Sequence, residues 1–177
     1  MEFQLKNCLL RPWSKEDAGS LARYANNRKI WLNLRDAFPH PYSISDARQF
    51  IRMTGKQDDI TVFAIEVDGE AVGSIGFHPN SDVERISAEI GYWLGEPFWN
   101  RGITTEAVKA VTCHAIDQQQ LIRVYAVPYE WNAASFRVLE KAGYQLEGRL
   151  HHSAIKDGKI IDQLLYAYVV EGEMAGS

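Results

Sequence analysis

The alternation of apolar and polar positions divides the chain into short strands and helices, punctuated by glycine, proline and Asp-Gly pairs. Leu9 and Leu10 predict a brief first strand that Pro12 ends, and Ser14-Lys15-Glu16-Asp17 reads as a capping box opening a helix through Leu21 and Tyr24. From Ile30 to Tyr42 the chain is aromatic and holds Pro39 and Pro41, so no long regular element is expected there. Packing over a sheet edge is the simpler task for these aromatic residues, and lining a pocket is the alternative. Ser43 to Asp46 caps a second helix that carries Ala47, Phe50 and Ile51. Strands follow at 61–67 and 72–77, joined by a type I′ turn at Asp68-Gly69, and a turn at Pro79 to Asp82 leads onward.

The stretch from Ser87 to Ile116 organises the rest. It opens as a strand with Ile90, Tyr92, Trp93 and Leu94, which Gly95 and Pro97 break. A short loop from Phe98 to Gly102 leads into a helix whose Ala107, Val108, Val111 and Ala115 recur at helical spacing, with Thr104 or Thr105 as the expected cap. Beyond it, 121–127 is a near-continuous apolar strand, as expected when both faces are covered, and Pro128 stops it. Asn132 is the expected N-cap of a last helix that buries Val138, Leu139 and Ala142 and ends at Gly143. Strands at 145–150 and 160–170 flank an Asp157-Gly158 turn. This order predicts an α/β sandwich, one domain over residues 1–177, with a mixed sheet of about seven strands and about four helices.

Composition changes the picture mainly by exclusion. A chain of 177 residues is long enough to bury a real core in one domain. A net charge of −4 without a lysine or arginine run argues against nucleic-acid binding. No apolar run reaches membrane-spanning length, and the first residues, MEFQLKNCLL, do not read as a signal peptide. Cys8 and Cys113 form no metal-like or redox-like pair, which fits a reduced cytoplasmic setting. The five histidines show no HExxH spacing and the serines no GxSxG context, so neither a metal site nor a hydrolase triad is expected.

The strand, glycine loop and helix start carry chemistry. The first N–H groups of a helix lack intrahelical acceptors and sit at the positive end of its dipole, so a loop aimed the same way completes an anion cradle. Gly102 permits close backbone approach, Arg101 adds charge, and Thr104 and Thr105 offer hydroxyl donors. Phosphate or pyrophosphate is the natural guest, although the loop alone is equally compatible with an ordinary tight turn. Neither a GxxxxGK[ST] string nor the three-glycine dinucleotide fingerprint is present.

The window Trp99, Asn100, Arg101, Gly102, Ile103, Thr104 resembles the acetyl-coenzyme-A loop of the GNAT N-acetyltransferase superfamily, and within it the RimJ/RimL-like branch of ribosomal-protein N-terminal acetyltransferases. Of the family's Gln/Arg-x-x-Gly-x-Gly/Ala pattern only Gly102 matches, with Trp99 in the form this branch often takes. Three further segments resemble the branch: the loop from Asn33 to Tyr42 (NLRDAFPHPY), the run NAASFRVLEKAGYQLEG from Asn132, and the hairpin KDGKIIDQLLYAY.

The resemblance implies acetyl transfer from acetyl-CoA directly to a primary amine, either a protein N-terminus or a small amine, with no metal. It implies that pantetheine lies between splayed strands. A backbone N–H around Trp93 or Leu94, freed by a bulge, would face the thioester oxygen. Trp99 to Thr105 would hold the pyrophosphate. Glu89 is the candidate base, and its alternative task is to bond a neighbouring loop or the acceptor's ammonium. The tyrosine that many members use as acid falls at Leu139 here, leaving Ser135 as the substitute candidate. Asn132 is assigned to pantetheine or backbone contact. A non-catalytic acyl-CoA-binding module is the rival reading, and a homodimer is left open.

Overall fold

The computed structural model describes residues 1–55 and 60–170. Eight strands form one sheet: β1 (Phe3–Gln4), β2 (Leu9–Arg11), β3 (Val62–Val67), β4 (Glu70–Pro79), β5 (Ser87–Leu94), β6 (Arg123–Ala126), β7 (Gln145–Lys156) and β8 (Lys159–Val169). Their spatial order is β1-β2-β3-β4-β5-β6-β8-β7. Every neighbouring pair is antiparallel except β5 and β6. A parallel pair needs a long crossover, and the helix α4 (Ile103–Gln119) supplies it.

The other helices are α1 (Ala18–Ala25), α2 (Arg28–Trp31), α3 (Ile44–Thr54) and α5 (Ala133–Lys141). α4 and α5 cover one face of the sheet. Ile103, Ala107, Val108, Val111 and Leu139 pack there with Phe77, Ile90 and Leu94 in the main core. A smaller cluster joins α1 and α3 through Leu21, Ala25, Ala47 and Ile51, with Trp93 and Phe38 against it.

The architecture is the one expected, with one more strand and one more helix. β1 is only two residues long, too short for a periodic signal, and α2 is a single turn inside the aromatic segment. β7 extends six residues beyond the expected end at Leu150, because register shifts let the hairpin continue to its Asp157-Gly158 turn. Two caps are as read: the Ser43 hydroxyl accepts from the Asp46 N–H while Asp46 accepts from the Ser43 N–H, and Asn132 Oδ1 accepts from the Ser135 N–H. At the first helix the box acts through the Asp17 carboxylate, which accepts the Ser14 N–H at 2.8 Å and is gripped from its other side by the Arg11 guanidinium.

Candidate active site

The site begins where β5 and β6 part. They pair at only three positions, Ser87 with Arg123, Ala88 with Val124 and Glu89 with Tyr125. β5 then runs on to Leu94 while the chain after β6 turns to β8: the Leu164 N–H donates to the Pro128 carbonyl, Tyr129 bridges to Gln163, and the Glu130 N–H donates to the Asp162 carbonyl. Pro128 has no N–H with which to continue the ladder. The result is a V-shaped gap beside Ile90 to Leu94.

Which groups of β5 face that gap follows from the phase of its ladder with β4. Asn80 N–H bonds the Ser87 carbonyl and Gly95 N–H bonds the Val72 carbonyl, so odd-numbered residues of β5 point their peptide groups at β4. The even-numbered ones, including Tyr92 and Leu94, point theirs into the gap. The Trp99 indole N–H fills the Leu94 carbonyl at 2.6 Å, leaving the Leu94 N–H as the outward donor.

Two expectations change here. The β4–β5 register runs unbroken from Ala88 to Leu94, so no bulge frees the amide; divergence of β6 does. Of the two residues named for that donor, Leu94 has its amide on the gap, whereas Trp93 pairs with β4.

Gly73 lets this strand sit where it does. A Cβ there would stand 2.5 Å from the Trp93 carbonyl oxygen and 3.1 Å from Leu94 Cα. Gly73→Ala must push β5 away, at a cost of about 2 kcal/mol, which lowers the melting temperature by about 4–8 °C for a domain this size. Thermal unfolding followed by circular dichroism checks this, and an unchanged melting point contradicts it.

β5 ends at Gly95, a 3-10 turn spans Glu96–Phe98, and the loop enters α4 through two left-handed residues, Asn100 (φ 60°) and Gly102 (φ 77°). Gly102 itself is the N-cap, so Thr104 and Thr105 lie within the first turn and do not cap it as expected. Their spacing alone could not reveal this, because the cap depends on a backbone twist with no side-chain signature. Arg101 and Asn100 are exposed, Trp99 is 38% exposed, and the Arg101 guanidinium stands 5.6 Å from the Phe98 ring centroid. Ile103 is buried and anchors the helix start to the core. The open amides of the first turn, with Arg101 beside them, make an anion-binding surface at the mouth of the gap.

Glu89 and Ser135 lie on opposite faces of the sheet. Glu89 shares the face of Trp93, and its carboxylate accepts two contacts, at 2.5 and 2.7 Å, from the Arg35 guanidinium. Arg35 comes from the loop after α2, so the carboxylate is held by a neighbouring loop in this structure. On the other face, Ser135 Oγ lies 2.7 Å from the Tyr92 hydroxyl. Asn132 Oδ1 is occupied by its capping bond at 3.2 Å, a structural task that leaves its amide nitrogen for any ligand.

Sequence reading did not single out Arg35 or Tyr92 for the site. Arg35 lies in the NLRDAFPHPY segment and Tyr92 in the central strand, but their partners are 54 and 43 residues away. The loop holding Arg35 is pinned to the β7–β8 turn, where Lys156 bonds Asp36 and its ammonium lies 3.7 Å from the Trp31 ring centroid, while Arg28 bonds Asp157. Trp131 Nε1 donates to Asn33 Oδ1 at 3.1 Å. Phe38 packs on Tyr42 and Trp93, so the aromatic segment serves packing and frames the Glu89 side as well.

A splayed parallel strand pair thus stands beside a glycine-capped helix N-terminus, and comparison with known proteins gives this arrangement a family. Residues 7–145 match the acetyltransferase (GNAT) domain, and the chain belongs to that family. It is 29% identical over 176 residues to an uncharacterized N-acetyltransferase, p20, of Bacillus licheniformis, covering 94% of each chain. To the ribosomal-protein-serine acetyltransferase of Escherichia coli (strain K12) it is 28% identical over 149 residues, covering 82% of this chain and 83% of that one. Its fold is similar to that of RimL, a ribosomal L7/L12 alpha-N-protein acetyltransferase in complex with coenzyme A, with a TM-score of 0.85 at 21% identity over 98% of this chain and 100% of that one. The protein is therefore a GNAT N-acetyltransferase that uses acetyl-CoA as co-substrate and an amine as acceptor. Among the described residues no helix is long and apolar enough to cross a membrane, and no cluster of His, Cys, Asp or Glu could hold a metal ion.

Proposed function

We propose that the acceptor is the N-terminal amine of a polypeptide, bound on the Glu89 face, and that the residues of the gap divide the chemistry. Trp99 to Thr105 hold the pyrophosphate, with the amides of Ile103, Thr104 and Thr105 and the Arg101 side chain as its donors. Pantetheine takes the place of the missing strand pairing beside Ile90 to Leu94, and Asn132 meets it from the α5 side. The Leu94 N–H receives the thioester oxygen as negative charge develops on it; one such preorganised donor is worth roughly 10²–10³-fold in rate. Glu89 accepts a proton from the amine, directly or through water. Ser135 faces the departing sulfur. Holding amine and thioester together supplies much of the remaining acceleration.

The observation that carries the acceptor assignment is a cavity of about 240 Å³ lined by Asn80, Glu84, Ser87, Arg123, Tyr125 and Leu165. It continues the face of Glu89 toward the start of β5, since Ser87 and Glu89 alternate onto one side and Tyr125 neighbours Glu89 across the ladder. This open hollow offers room to a polypeptide extending from the amine. Among the relatives, the ribosomal-protein acetyltransferases support this reading, whereas a spermidine N(1)-acetyltransferase of Escherichia coli (strain K12) stands for the small-amine alternative. The two free cysteines, one buried and one exposed, fit a cytoplasmic setting.

A length series of peptide acceptors tests this. Catalytic efficiency rises from amino-acid amide to tetrapeptide if the cavity is used. Equal or better efficiency with short diamines and amino sugars contradicts it and assigns the site to small amines.

A further inference from the structure

Tyr92 and Ser135 bring their hydroxyls within 2.7 Å of each other from opposite sides of the gap, Tyr92 on β5 and Ser135 in the first turn of α5. Among the described residues neither hydroxyl has another hydrogen-bond partner. Each could be the donor, but their chemistry favours one arrangement. The phenol oxygen shares its lone pair with the ring, which makes it the poorer acceptor and its O–H the better donor. Burial raises the Tyr92 pKa above the ordinary phenol range, against the lowering effect of the Ser135 bond, so the phenol keeps its proton and remains able to donate. Tyr92 then occupies a lone pair of Ser135 Oγ, and the serine's own proton is free to point elsewhere.

The direction left open matters because of where the pair sits. Tyr92 is one of the even-numbered residues whose backbone faces the gap, next but one to Leu94. Ser135 is fixed from behind, its N–H bonded to Asn132 Oδ1. A serine proton turned away from Tyr92 is presented to the space between β5 and α5.

We infer that Tyr92 is a positioning residue for acyl transfer, holding Ser135 so that the serine hydroxyl donates to the thioester sulfur. This inference rests on the placement of the thioester proposed above. As the amine nitrogen bonds to the acyl carbon, the C–S bond breaks and its electron pair stays on sulfur. Of the two protons that the acceptor ammonium gives up, one ends on sulfur and the other in solvent. Tyr92 and Ser135 end as they began. Their task is to lower the energy of the developing thiolate, and a randomly oriented serine would do this less well.

The test compares wild type, Tyr92→Phe, Ser135→Ala, Ser135→Thr and the Tyr92→Phe/Ser135→Ala double variant, by thiol release from acetyl-CoA with one peptide acceptor. Ser135→Ala lowers kcat by about 100-fold and Tyr92→Phe by about tenfold, with KM for acetyl-CoA within about twofold of wild type. The double variant is no slower than Ser135→Ala alone, because Tyr92 acts only through the serine. Ser135→Thr keeps a hydroxyl and retains most of the activity.

A structural role for Tyr92 would instead slow the double variant by a further tenfold, which overturns the inference, as does a Tyr92→Phe enzyme with wild-type kcat. Phenylalanine preserves the ring packing, and stabilisation of each variant by coenzyme A verifies that it is folded. Absence of amine-dependent thiol release from wild type would be a separate failure, that of the proposed acetyl transfer itself.

Discussion

Glu89→Gln is expected to lower kcat about 100-fold while leaving affinity for acetyl-CoA unchanged, since a positioned general base contributes 10²–10⁴-fold. Glu89 occupies the last paired position before β5 and β6 part, on the face opposite the hydroxyls of Tyr92 and Ser135. A thioester in the gap would have the carboxylate on one side and the hydroxyl pair on the other, the arrangement needed to remove a proton from the incoming amine while supporting the leaving sulfur. Glutamine retains an oxygen that accepts from Arg35, so the loop after α2 stays docked and only basicity is lost. Arg35→Gln supplies the comparison. If Glu89 merely anchors that loop, the two variants lose activity equally. If it is the base, Arg35→Gln loses much less, because it releases a carboxylate that the acceptor ammonium must otherwise compete for. Steady-state kinetics on both variants, with coenzyme affinity measured by calorimetry, separates the two outcomes.

The second large effect is expected at Gly102. Its φ of 77° lies in the left-handed region, and a Cβ there would meet nothing within 4 Å, so the consequence of a side chain is conformational and owes nothing to crowding. For a β-branched residue that region costs on the order of 1–2 kcal/mol or more, enough to draw the loop into another conformation and turn its amides away from the helix axis. Gly102→Val therefore weakens coenzyme A binding at least about tenfold. Gly102→Asn is the control, since asparagine tolerates this conformation and Asn100 already adopts it two residues earlier. Near-wild-type affinity in Gly102→Val would remove the loop from the coenzyme site.

The difference between what the sequence reveals and what it hides follows the range of the interaction. Turn chemistry at Asp68-Gly69 and Asp157-Gly158, the Ser43–Asp46 box and the Asn132 cap are local, and each is where its residues predict. The two-residue β1 has no pattern to read, and it exists because Phe3 and Gln4 pair with Leu10 and Leu9. The gap itself is legible in the sequence only through resemblance, and its cause is tertiary: the segment after Ala126 finds its partners on β8. A bulge in β5 is a local explanation for an effect that β6 produces by leaving. Arg35 with Glu89, and Tyr92 with Ser135, are contacts of distant segments that no periodicity encodes. Trp99 shows the same limit, as a loop position by sequence whose indole is spent on the Leu94 carbonyl.

The most direct test of acetyl transfer at this gap is thermal stabilisation by acetyl-CoA, followed on the same samples by thiol release with N-terminal peptides and amines. Binding to the native state raises apparent stability by mass action, by about 2.7 kcal/mol at a hundredfold excess over Kd. The expected result is stabilisation together with amine-dependent thiol release. Stabilisation without release from any amine would favour a coenzyme-binding protein without turnover, and no stabilisation at saturating acetyl-CoA would contradict the assignment of the gap.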